Sequence, residues 1–283
     1  MIVVRTVADL RAALRERRGG SIGLVPTMGA LHEGHLTLVR AARADNDTVV
    51  MSIFVNPAQF TEQADLAAYP RTEERDVALA EEAGVDVVFA PDAGEMYPDG
   101  FSTTVSVTGS VAETLEGAQR GRAHFDGVAT VVTKLLLAAL PDAAYFGAKD
   151  AQQVAVLRRL TADLNVPVEL VVCPTSRDDD GLARSSRNAR LSPDERARAL
   201  AIPRALQAVT DAAASGIRDS RALRDRALDV LAQGMIALEY VAFVDPETFE
   251  PVPQVDRPTL VAIAARVGAT RLIDNTVIDA GGS

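Results

Sequence analysis

Two histidines three residues apart carry the first chemistry in this chain: His32 and His35, in "PTMGALHEGHLTLVRAAR", residues 26 to 43. A strand-like run, "SIGLVPT", precedes them, and a helical period follows from about His35 to Ala44. At i and i+3 the two imidazoles can share one face of a first helical turn. Three kinds of chemistry fit that placement. The pair can make turn hydrogen bonds only. It can hold zinc, although H-E-G-H is one residue shorter than H-E-x-x-H, and His124 is the only further histidine for a three-histidine site. Or it can donate to a phosphate, where helix N-terminal amides and the positive end of the helix dipole point the same way.

Two other stretches favour the phosphate. "YFGAKD" places Lys149 and Asp150 directly after a strand-like run, giving a mobile cation for a phosphate and a carboxylate for a helix cap, a ribose or a metal. Ser185, Ser186 and Arg187, in "ARSSRN", put two hydroxyls and a guanidinium in a polar loop suited to closing on a polyphosphate. No Ser/His/Asp or Cys/His arrangement for covalent catalysis stands out.

The elements that must position these groups read as follows. "MIVVRTVADLRAALRERR" is a short strand and an amphipathic helix without signal-peptide layout. "SIGLVPT" and "TVVMSIFV" are continuous apolar runs suited to a parallel sheet covered on both faces. Helices about Glu73 to Ala83, Val128 to Leu140 and Asp150 to Leu164 alternate with the strands "VDVVFA", "AAYFG" and "VELVVC". That alternation predicts an α/β fold, a doubly wound, Rossmann-like parallel sheet, whose ligands bind at the carboxyl ends of strands. After Cys173 the chain turns polar. "SPDE", from Ser192, offers a capping box with Pro193 at the first helical position. An Ala-rich helix to about Gly216, a helix to about Gln233 and three strands, "EYVAFVD", "TLVAIAARV" and "TRLIDNTVI", then predict a smaller α+β domain. The expected division is residues 1–174, the Rossmann-like domain, and 175–283, the smaller C-terminal α+β domain.

The 283 residues carry a formal charge of −10, which argues against a general nucleic-acid surface. No apolar run reaches the roughly 18 residues of a membrane span. One cysteine, Cys173, excludes an internal disulfide, and a cytoplasmic enzyme is the expectation.

The segments "PTMGALHEGH", "SIFVNPAQF", "AYPRT", "MYPDG", "GVATVVTKL", "FGAKDAQQ", "GLARSSRN" and "TRLIDN" occur in order over nearly the whole chain, and together they resemble the pantothenate synthetase (pantoate–β-alanine ligase) family of HxGH nucleotidyltransferases. The resemblance implies that pantoate attacks Mg-ATP to give pantoyl adenylate and pyrophosphate, and that β-alanine then displaces AMP. It implies an ATP site of Met28, Gly29, Ala30, Leu31, His32, Glu33, Gly34, His35, Gly147, Ala148, Lys149, Asp150, Ser176, Arg184, Ser185, Ser186 and Arg187. His35 stands where the family has its proton donor, and His32, Lys149, Ser185, Ser186 and Arg187 share the catalytic work. Gln59, Gln153, Asn56, Tyr69 and Arg120 match pantoate- and β-alanine-binding positions, Asp76 matches a magnesium contact, and a homodimer is implied. Magnesium is expected with ATP rather than tightly bound to protein. Departures from the family pattern are Ala148 for Glu, Ala151 for an aromatic residue, Ser176 for Val, Arg184 for an apolar residue, and "RGRAHF", Arg120 to Phe125, for RPGHF. The alternatives are a same-fold ligase using another hydroxy acid and amine, an HxGH adenylyltransferase, a zinc hydrolase and a non-catalytic nucleotide-binding module.

Overall fold

Apolar strands that are buried on both faces set the architecture of the first half. The computed structural model describes residues 1–61 and 63–279. Six strands, β1 (Ile2–Val4), β2 (Ile22–Thr27), β3 (Thr48–Ile53), β4 (Val87–Phe89), β5 (Ala143–Gly147) and β6 (Glu169–Cys173), form one sheet in the order β1-β4-β3-β2-β5-β6. Every pairing is parallel, with β2 beside β3 from Ile22↔Thr48 to Thr27↔Ile53 and beside β5 at Gly23↔Ala143. All six residues of β3 are buried, as a covered parallel strand requires. The chain runs outward from β2 through β3 to β4 and returns to the other side of β2 as β5. The order therefore reverses between β2 and β5, and the carboxyl ends of these strands flank the place where such sheets take ligands.

The second half is built on an antiparallel meander, β7 (Ala237–Val244), β8 (Thr259–Val267) and β9 (Thr270–Ile278), with β8 central. Its core draws on Ile202, Leu206 and Val209 from one helix, Leu223 and Leu231 from the next, and Val261, Ile263 and Leu272 from the sheet. The chain folds as two compact units: residues 1–148 with 156–174, and residues 149–155 with 175–283.

The doubly wound sheet and the smaller α+β part are as expected. Ser192 and Glu195 form the expected capping box, with Pro193 in the first turn. Two elements differ. The Ala-rich stretch is two helices, Pro193–Ala199 and Ala201–Ala214, joined at Leu200. Pro203 explains the join, because it has no N–H to return to the Ala199 carbonyl. The helix expected from about Val128 begins at Arg122 and ends at Ala139, followed by Leu140 in the left-handed region.

Candidate functional site

In the first unit, β2 hands the chain to a turn at Met28–Leu31 and then to the helix Glu33–Asp45. The turn needs left-handed backbone at Gly29 (φ 75°) and Ala30 (φ 51°). Gly29 suits both its φ and its surroundings, since an added Cβ would lie 2.9 Å from an Asp76 carboxylate oxygen. Asp76 is the clamp on this turn. It is 1% exposed and accepts the N–H groups of Ala30 and Leu31, each at 2.8 Å, and the Thr72 hydroxyl at 3.1 Å. Leu31, also buried, plugs the turn into the core beneath the sheet. Both Asp76 oxygens being engaged supports a positioning role over the expected magnesium contact.

His32 is the N-cap of the helix, a position that usually carries Ser, Thr, Asp or Asn. Its Nδ1 takes the cap's job and accepts the Gly34 N–H at 3.1 Å. The His32 N–H in turn donates to Nδ1 of His35 at 3.3 Å, which closes a reciprocal capping box. The ring centroids are 4.1 Å apart. With each Nδ1 an acceptor, a neutral ring at either position carries its proton on Nε2. The amides of Ala30, Leu31, Gly34 and His35 are all occupied within the protein. That corrects the expectation of unpaired amides at this turn, where the helix dipole is what remains for an anion. Glu33, beside them, is ion-paired with Arg40.

A second network starts where β3 ends. Asn56, 1% exposed, caps the short turn Pro57–Gln59. Its Nδ2 donates to Gln59 Oε1 (3.0 Å) and to the Gly127 carbonyl (3.1 Å), while its Oδ1 accepts from the Tyr97 hydroxyl (2.6 Å). Fixing Oε1 fixes the amide's orientation, and Gln59 Nε2 points to the Met28 sulfur at 3.0 Å. Met28, Asn56 and Gln59 are thereby joined in one cluster. Gly127 allows the helix Arg122–Ala139 to touch this turn, where a Cβ would sit 2.6 Å from the Gln59 nitrogen. His124 Nδ1 lies 2.8 Å from the Gln59 carbonyl. Burial pushes the Tyr97 phenol up to about 12, so it stays a donor. Tyr97 and His124 were not among the expected site residues. "MYPDG" and "RGRAHF" were the signals that contained them.

The remaining expected residues fall in three places. Tyr69 stands edge-on to Phe60 with centroids 5.8 Å apart, and the Arg120 guanidinium pairs at 2.9 Å with the buried carboxylate of Glu116. Gly147 closes β5, and Ala148 opens the short turn Ala148–Asp150. In the second unit Lys149 nears Asp150 at 3.5 Å, and half-buried Gln153 lies on the first turn of the helix Ala151–Asp163.

Also in that unit, Arg177 bridges to Ala183, and the Arg184 N–H returns to the Ser176 carbonyl at 2.9 Å. This hairpin delivers Ser185, which caps the turn Ser186–Arg190 through the Arg187 N–H. Arg184, a departure from the family pattern, pairs with Asp178 at 3.0 Å and donates to the Arg177 carbonyl at 3.1 Å. Its guanidinium is thus tied into the base of the hairpin.

A family model described as Pantoate-beta-alanine ligase matches residues 2–277. The pantothenate synthetase of Roseiflexus sp. strain RS-1 is 52% identical over 281 residues, covering 99% of this chain and 100% of that protein. That of Koribacter versatilis is 51% identical, covering 100% and 98%. Among solved structures, pantothenate synthetase from Thermus thermophilus superposes with a TM-score of 0.93 at 48% identity, covering 99% of this chain and 100% of that one. Pantoate-beta-alanine ligase from Francisella tularensis, complexed with beta-gamma ATP and beta-alanine, gives 0.82 at 33% identity, covering 98% and 97%. With likeness of this extent over the full sheet, the histidine turn and the second unit, the chain belongs to the pantoate–β-alanine ligase family, the pantothenate synthetases.

Proposed function

We infer that the chain joins pantoate to β-alanine in two displacements, with the first unit's histidine turn as the centre of the first. Pantoate's carboxylate oxygen attacks the α-phosphorus of Mg-ATP. A P–O bond forms, the bond to the β-phosphate oxygen breaks, and pyrophosphate leaves. The amine of β-alanine then attacks the acyl carbon, the C–N bond forms, the acyl C–O bond breaks, AMP leaves and the amine gives up a proton. Neither step requires a protein nucleophile. What the protein must do is align the reactants and meet charge as it builds on phosphate oxygens.

The carrying observation is the reciprocal cap, which fixes the His32 and His35 rings at the carboxyl end of β2 with each Nδ1 an acceptor, so that Nε2 is the proton-bearing atom we assign to the phosphate. Donors fixed before the reaction need no reorganisation as the phosphate gains charge. Gln59, its amide oriented by Asn56, directs one Nε2 N–H to the Met28 sulfur and the other is assigned to an acceptor oxygen of pantoate. Lys149 and the loop Ser185–Arg187 supply mobile charge and hydroxyls to the triphosphate, and Gln153 joins Gln59 on the acid. Magnesium arrives with ATP, for it prefers phosphate oxygens and water with few carboxylates. The division into an ATP- and pantoate-binding part, 1–174, and a lid, 175–283, belongs to the same proposal, as do a homodimer and a cytoplasmic location. No described helix is long and apolar enough to cross a membrane.

The test is isotope exchange between pyrophosphate and ATP. It is expected with pantoate and magnesium and without β-alanine. Exchange that requires the amine would sink the two-step reading, and AMP formation with some other acid and amine but not this pair would sink the substrate assignment.

A further inference from the structure

β9 carries two adjacent polar residues that the reaction as drawn leaves unused, Asp274 and Asn275. Asp274 is 4% exposed, an unfavourable place for a carboxylate without compensation. It accepts a two-pronged bond from Arg177, at 2.7 and 3.0 Å, and the Asn275 N–H at 2.8 Å. Arg177 is the foot of the hairpin that delivers Ser185, Ser186 and Arg187, and the same guanidinium also donates to the Gly181 carbonyl across that hairpin at 3.1 Å. Asn275 reaches a different segment. Its Nδ2 donates to the backbone carbonyl of Lys149 at 2.8 Å. Successive side chains leave a strand on opposite faces, so neighbouring positions can grip two separate pieces of chain.

We propose that Asp274 and Asn275 are positioning residues that set Lys149 and the Ser185–Arg187 loop on one rigid strand. The inference rests on the reading that these two segments meet the phosphates of ATP. The strand suits the task, because it is paired with β8 along its whole length, from Thr259↔Ile278 to Val267↔Thr270. Lys149 sits on a short turn and Ser185–Arg187 on a long polar connection, and neither would hold a cation to a fraction of an ångström by itself. A misplacement of about 1 Å is enough to cost on the order of a hundredfold in rate. Asp274 acts through a charge-assisted pair and Asn275 through an amide donor.

Steady-state kinetics on the full chain test this. Asn275→Leu keeps shape and removes the N–H donor. It is expected to lower kcat/KM for ATP about tenfold, through KM for ATP, while KM for pantoate stays within about twofold. Glu239→Gln is the control on the same sheet, because Glu239 pairs with Arg266 of β8 and with Arg271 of β9. Its ATP kinetics should match the parent even if its melting temperature falls. Lys149→Ala is measured alongside. If Asn275→Leu leaves ATP kinetics unchanged, or changes them no more than Glu239→Gln does, while Lys149→Ala collapses activity, the positioning inference is overturned and the ligase site stands. If Lys149→Ala is itself harmless, the reading of the site and the inference both fall.

Discussion

The turn that carries His32 and His35 and the loop that carries Ser185 to Arg187 have the same proposed task and different construction. The histidine turn is held from inside, by a carboxylate at 1% exposure, a buried leucine and a reciprocal cap. The serine loop has one buried anchor, Arg177 on Asp274 at the foot of its hairpin, and beyond that ion pairs nearer water: Arg184 to Asp178, and Arg196 to Asp178 and Asp180, with side chains about a quarter to a third exposed. Buried hydrogen bonds are costly to lose, whereas exposed ion pairs are individually weak and screened by salt. On the proposed reading, the donors at the reacting phosphorus are pre-set from within, while the serine loop joins a fixed foot to an outer rim of ion pairs that can adjust. A site that must admit ATP and release pyrophosphate needs one of each.

The comparison can be broken from the rigid side first. His35→Ala is expected to lower kcat about 10²- to 10³-fold, the scale for one transition-state donor, with little loss of stability. Rapid-quench measurement of adenylate formation checks it, and a rate near the parent's would remove the histidine from the reaction. Asp76→Ala leaves the buried Leu31 N–H and the half-buried Ala30 N–H without their acceptor and should cost about 3 kcal/mol in urea unfolding, with activity falling as well. A smaller step is Tyr97→Phe, which removes the 2.6 Å bond to Asn56. It should raise KM for pantoate several-fold, or about 1 kcal/mol, and leave KM for ATP alone. On the adjustable side, Arg196→Met should change KM for ATP by less than about fivefold, and the difference from the parent should shrink as salt rises.

The tyrosines add a pH test. Burial raises Tyr97 and Tyr145 to about 12, above the ordinary value near 10. A group raised on folding stabilises fully below its unfolded value, so this contribution is present to about pH 10 and lost as pH climbs toward 12. Thermal melts between pH 9 and 12 should show Tyr97→Phe losing less stability over that window than the parent.

How legible all this was in the chain depends on distance. The β2–turn–helix unit could be read because strand, glycine, histidines and helix period are contiguous, and the alternation that follows predicted the parallel sheet. The role of Asp76 could not, because its partners Ala30 and Leu31 lie more than forty residues away, and an acid in a first helical turn reads simply as favourable to the dipole. The same holds for Tyr97 with Asn56 and, further still, for Asn275 with Lys149. Which amides remain available to a ligand is decided by such partners, so the chain order overstated what the turn offers. The break at Leu200 is a different kind of miss. Its cause, Pro203, is local and lies within the Ala-rich stretch that reads as one helix.

The reciprocal cap makes each Nδ1 an acceptor and so assigns the proton of both imidazoles to Nε2. Nitrogen-15 NMR of histidine-labelled protein near pH 8, with His32→Gln and His35→Gln variants for assignment, measures it directly. The account predicts Nε2–H tautomers at both positions, with the Nδ1 shifts of hydrogen-bond acceptors. A Nδ1–H tautomer at either ring would contradict it, because that ring could not then close the cap and donate as described.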